Sequence, residues 1–135
     1  MTTDIQQIAE PQDKAQIGIT PTAEGHLDDL MKTGWFADRQ DAYRVAIGVA
    51  LSRRLEPSAS DMVGLRTAYN FTGGIDRDGK LRQLIAVLRP SEASRPAMFA
   101  ERLAHAGLAF LFDRLVTASG TLADALSPEQ TIAWD

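Results

Sequence analysis

Gln16-Ile-Gly-Ile-Thr20 alternates apolar and polar residues over a stretch too short to be a helix, which reads as a strand at about 15–20. A strand cannot satisfy its own backbone N–H and C=O groups. No second run of alternating β-formers lies beside it in the sequence, so the expected partner is the same strand of another copy. The chain is therefore expected to form an obligate homodimer, with Ile17 and Ile19 on the buried side of the ribbon and Gln16, Gly18 and Thr20 on the other.

After the strand the spacing becomes helical. Thr20-Pro21 suits an N-cap followed by proline at the first helical position, where a missing N–H costs nothing. Leu27, Leu30 and Met31 mark one face of a helix reaching about Lys32, and Thr33-Gly34 ends it. A second helix is expected from Asp38, with Asp41 three residues on as a partial capping box. Tyr43, Ala46, Ile47, Ala50 and Leu51 form its apolar stripe. Arg53-Arg54 place positive charge at its C-terminal end.

Pro57-Ser-Ala-Ser60 reads as a short linker and is the best internal boundary. Beyond it, Met62, Leu65, Tyr69 and Phe71 predict a short helix running into an irregular segment. Gly73-Gly74 makes a turn, and Asp76 or Asp78 caps a helix carrying Leu81, Leu84, Ile85 and Leu88, which Pro90 stops. A long helix is expected over 96–117, bent or divided at Gly107, and a short one at Leu122–Leu126. The expected organisation is an arm at 1–13, a dimerisation module at 14–56, a helical extension at 57–118 and a tail at 119–135.

Composition narrows the classes of function. With no cysteine among 135 residues there is no disulfide, thiolate metal site or cysteine nucleophile. No apolar run approaches the ~18 residues of a membrane span, and Met1–Gln7 lacks the pattern of a signal peptide, so a bacterial-type cytoplasmic location without membrane contact is expected. The net charge of −4 argues against a protein built to coat phosphates. Residues 14–55 are nevertheless close to neutral, with six Lys/Arg against five Asp/Glu.

Taken in order, the Ile17/Ile19 strand, Pro21, Leu27 and Leu30, the Gly34 turn and the capped helix from Asp38 to about Leu51 resemble the ribbon-helix-helix family of small bacterial regulators, the Arc, MetJ and CopG type. The resemblance covers about a third of the chain. It implies a mainly α fold with a ribbon-helix-helix-like N-terminal half (one short strand, two helices) and a helical C-terminal extension. In that family, paired strands enter the major groove of DNA, and helix N-terminal amides clamp a phosphate. Carried over, DNA contacts fall on Gln16, Gly18 and Thr20, with Lys14 and Arg39 as flanking cations. The dimer core falls on Ile17, Ile19, Leu27, Leu30, Tyr43 and Ile47. The wider pattern, including Gly34-Trp-Phe-Ala-Asp38 and Gly74-Ile-Asp-Arg-Asp-Gly-Lys-Leu81, is also similar to small DndE-like accessory proteins of bacterial DNA-modification and defence clusters. That likeness implies a helper that assembles with a larger enzyme or with DNA.

Catalytic and metal signatures are weak. Asp76-Arg-Asp-Gly79 has calcium-loop residue types, but Gly74 and Ile85 stand where ligands are required, so capping is expected. His26 and His105 lack metal-ligand spacing, and His105 is expected at a surface or contact. Gly73-Gly74 lacks the Lys-Ser/Thr of a phosphate loop. No cofactor and no enzymatic activity are expected. Trp35-Phe36 reads as a hydrophobic staple at a helix start, while Trp134 is a candidate either for docking into a partner or for folding back onto its own core. Two functions remain: a DNA-contacting homodimer, as regulator or as subunit of a modification or defence complex, and an assembly or adaptor subunit with no affinity for nucleic acid.

Overall fold

The computed structural model describes residues 12–57 and 59–127. It is mainly helical, with one two-stranded antiparallel sheet. Strand β1 (Gln16–Ile19) leads into helix α1 (Pro21–Met31) and, after a turn, α2 (Arg39–Arg53). A short 3-10 turn, Ala59–Met62, precedes strand β2 (Arg66–Asn70) and a π-type turn at Phe71–Ile75. Helices α3 (Lys80–Leu88), α4 (Pro96–Phe112) and α5 (Leu122–Leu126) complete the order.

The local chemistry of the first half follows its residues. The Thr20 side chain accepts from the Ala23 N–H at 3.1 Å, and Pro21 opens α1. Gly34 takes φ +80° in the turn after α1, a conformation that costs glycine little. Asp38 accepts from the Asp41 N–H at 2.7 Å, and the Asp41 carboxylate reaches back to the Ala37 N–H at 3.4 Å.

The pairing of β1 corrects the expected dimer ribbon. Its partner is β2 of the same chain, with Ile17 opposite Tyr69 and Ile19 opposite Arg66. The register shifts between Ile17 and Gly18, where a Cβ on Gly18 would lie 2.5 Å from the Arg66 carbonyl oxygen. Gly18 is thus spent on a close strand approach. The expected helix around Met62–Phe71 is likewise replaced by a 3-10 turn and β2.

All six residues assigned to a dimer core sit in the core of the single chain. Ile17, Leu27, Leu30, Tyr43 and Ile47 are fully buried, and Ile19 nearly so. They belong to one continuous cluster with Phe71, Ile85, Phe99, Leu103, Leu108 and Leu111. The cluster draws residues from both sides of Pro57. Helix α4 runs through the middle of the cluster, against α2, α1 and β1. Gly107 does not divide it: the helix is continuous over Pro96–Phe112, and a Cβ at Gly107 would lie 1.9 Å from the Ala46 carbonyl oxygen, so α4 touches the α2 backbone at this point. The helix stops at Phe112, and a π-type turn covers Asp113–Thr117.

Candidate functional site

The outer edge of β1 is closed from within. The buried Gly18 N–H donates to the Glu101 carboxylate at 2.8 Å, and the Gly18 carbonyl accepts from the Tyr43 hydroxyl at 2.7 Å. One step on, the Thr20 N–H donates to His105 Nε2 at 3.1 Å. A backbone N–H can only donate, so Nε2 is the acceptor and Nδ1 carries the proton it gives to the Glu101 carbonyl at 2.7 Å. β2 takes one edge of β1, and these three side chains hold Gly18 and Thr20 on the other, which blocks a second copy from pairing there.

Glu101 and His105 lie one helical turn apart on the core-facing side of α4, and both are buried. His105 is therefore not at a surface. Burial holds its imidazole below the ordinary value of 6.5. Burial also pushes the Tyr43 hydroxyl well up, with the Glu101 charge adding to it. The Lys14 ammonium closes the cluster, on both Glu101 oxygens at 2.8 and 2.7 Å.

The five residues assigned to DNA have other occupations. Lys14 is paired with Glu101. Gln16 Nε2 donates to Asn70 Oδ1 at 3.0 Å. Gly18 and Thr20 are buried. Arg39 binds the Asp28 carboxylate, with Glu24 3.7 Å away. The amides at the start of α2, where the ribbon-helix-helix likeness puts a phosphate, face Asp38 and Asp41. Asp13, placed by its sequence in the N-terminal arm, accepts from the Ala97 and Met98 N–H groups at 3.0 and 2.9 Å and so caps the start of α4. Phe36 is buried while Trp35 is 44% exposed. Trp134 lies outside the described residues.

The Asp76 carboxylate accepts from the Leu81 and Arg82 N–H groups at 2.8 and 3.0 Å and from Arg82 Nε at 2.7 Å. Capping, not cation binding, occupies it. Among the described residues no cluster of His, Cys, Asp or Glu could hold a metal, and no helix is long and apolar enough to cross a membrane.

The surface offers a groove of about 740 Å³ between α2 and the 74–84 segment. Its rim carries Arg44, Arg77 and Lys80 together with Asp76 and Asp78, and Gly48, Leu81 and Leu84 form its apolar floor. Arg44 is braced by donating to the Ile75 and Gly74 carbonyls at 2.9 and 3.4 Å. Beyond the groove the outer face of α3 stays apolar: Leu84, Val87 and Leu88 are 46%, 74% and 50% exposed. Their i, i+3, i+4 spacing makes them one stripe. A signal for it exists in the sequence, since α3 has apolar residues on more sides than one core contact can bury. Naming Leu81, Leu84, Ile85 and Leu88 as the apolar residues of one helix, without dividing them between its faces, hides it. No family model, curated protein or solved structure matches this chain.

Proposed function

We propose that this protein is a non-enzymatic assembly subunit that docks onto a larger protein through the outer face of α3. The observation that carries this reading is the contiguous exposed stripe Leu84, Val87 and Leu88 beside an open groove. Scattered single apolar residues on a surface need no explanation, but a stripe rimmed by charge is characteristic of an interaction site. The similarity to DndE-like accessory proteins fits a helper of this kind.

The ribbon-helix-helix reading has less support. The order strand, helix, turn, helix is present, yet the strand is paired inside its own chain and the assigned DNA contacts are engaged elsewhere. DNA contact keeps one observation in its favour, the cationic rim of Arg44, Arg77 and Lys80. A gel-shift assay at low salt, where phosphate binding is strongest, addresses it directly.

Affinity purification from the native host tests the assembly reading, comparing the unaltered chain with Leu84→Glu and Val87→Glu. A partner retained by the unaltered chain and lost from both variants is expected. Identical recoveries from all three would remove the basis for a docking role of α3.

A further inference from the structure

We infer that the groove between α2 and α3 receives an acidic amphipathic helix of the partner protein. This deepens the assembly reading and rests on it. Three observations select that occupant.

The first is charge. Within an acidic chain, the groove rim gathers Arg44, Arg77 and Lys80. Asp76 is neutralised by Arg82, which leaves Asp78 as the remaining carboxylate of the lining. Among the described residues neither the Arg77 guanidinium nor the Lys80 ammonium is paired with a carboxylate; Asp78 accepts from the Lys80 backbone N–H at 3.1 Å, and Arg44 pairs with Asp41 at 3.8 Å. The unpaired charges of Arg77 and Lys80 beside Leu81 and Leu84 call for carboxylates on the occupant.

The second is the pattern of the floor. Leu81 and Leu84 of the lining continue into the exposed Leu88 outside it, at i, i+3 and i+7 along α3, the spacing that meets the apolar stripe of another helix. Gly48 forms the opposite side of the floor, and a Cβ there would meet nothing within 4 Å. The α2 backbone is thus open to close approach by a helix.

The third is the exclusion of a second copy. An isologous contact sets a patch against itself, and here it would gather the Arg77 and Lys80 charges of both copies in one interface. Like charges juxtaposed across an interface oppose association. The face is built for something of opposite sign.

Two synthetic amphipathic peptides of about 18 residues, long enough to present several helical turns, test the inference against the full chain by fluorescence anisotropy. Both carry leucine at i, i+3, i+4 and i+7; one has Glu at its polar positions and the other Lys. The Glu peptide is expected to bind and to weaken with added salt, while the Lys peptide does not bind. Arg77→Glu with Lys80→Glu is expected to reduce binding by at least about tenfold. Gly48→Leu, which fills the floor while improving helix propensity, is expected to reduce it as well, with a urea midpoint no lower than that of the unaltered chain separating loss of the site from loss of the fold. Equal binding of the two peptides, or of neither, overturns the inference. So does a duplex oligonucleotide that binds through Arg77 and Lys80 while the Glu peptide does not, or a dimer in solution that Leu84→Glu dissociates. A host partner lost with Leu84→Glu, alongside failure of the Glu peptide, would sink this occupant and leave the assembly reading standing.

Discussion

Replacing Glu101 by alanine is the sharpest test of how β1 is held. The carboxylate is buried and accepts from the Gly18 N–H at 2.8 Å and from Lys14 at 2.8 and 2.7 Å. Truncation leaves the Gly18 N–H in the core with no acceptor, at about 1–3 kcal/mol for an orphaned buried donor. The Lys14 side chain is 39% exposed and its ammonium regains water, so its share of the pair adds at most about 1 kcal/mol. Loss of the side-chain methylenes brings the expected destabilisation to about 2–4 kcal/mol. That is a large fraction of the ~5–15 kcal/mol typical of a domain. Urea unfolding followed by circular dichroism measures it. Amide exchange at Gly18 is expected to accelerate from deep protection. With its outer edge uncovered, the variant is also expected to self-associate as concentration rises in sedimentation runs. Glu101→Gln keeps an acceptor for the Gly18 N–H and is expected to lose less. A Glu101→Ala protein within about 0.5 kcal/mol of the original, the ordinary scatter of surface changes, with Gly18 still protected, would refute the account of a closed edge.

Other positions give independent checks. Gly107→Ala forces a methyl group to within 1.9 Å of the Ala46 carbonyl, so α2 and α4 must part; a loss of about 3 kcal/mol or more is expected in urea. Tyr43→Phe leaves the Gly18 carbonyl without its hydroxyl donor and is expected to cost about 1–3 kcal/mol, with no change in oligomeric state. Burial depresses the His105 imidazole, and that of His26, below 6.5, so the unfolded chain takes up protons that the folded chain refuses. The stabilisation is complete above pH 6.5 and falls as pH drops from there toward the folded values. The slope is up to about 1.4 kcal/mol per pH unit for His105 and smaller for the more solvated His26. Urea midpoints at pH 7.5, 6.5 and 5.5 check the slope, which should shrink in His105→Gln; an unchanged slope in that variant would exclude His105 as a source.

The helices are legible in the sequence because their signals are local. Thr20-Pro21, the Asp38/Asp41 pair and Pro90 act within one turn of themselves, and the structure uses each as its chemistry dictates. β2 is hidden for the opposite reason. Arg66-Thr-Ala-Tyr-Asn70 has no deeply buried residue, so the strand shows no apolar alternation to read. Without β2 in view, β1 lacks a partner, and a dimer ribbon is the natural but mistaken inference. The polar closure of β1 is partly visible. Glu101 and His105 stand at i, i+4 on a helix whose buried neighbours are Ala, Phe and Leu, and polar groups on such a face need buried partners. Which backbone groups they meet depends on contacts 83 and 85 residues away in sequence. The groove is a tertiary product in the same sense, since Arg44 and Gly48 come from α2 while Lys80 and Leu84 come from α3.

The anchoring of β1 also sets the order in which the molecule can be made. Its N–H and C=O groups find partners at 43, at 66–70, at 101 and at 105. A nascent chain emerging from the ribosome therefore has α1 and α2 outside the tunnel well before the segment that seals β1 has been synthesised. Until then the Gln16–Ile19 segment is an unpaired apolar strand, the kind of species that chaperones shield during translation.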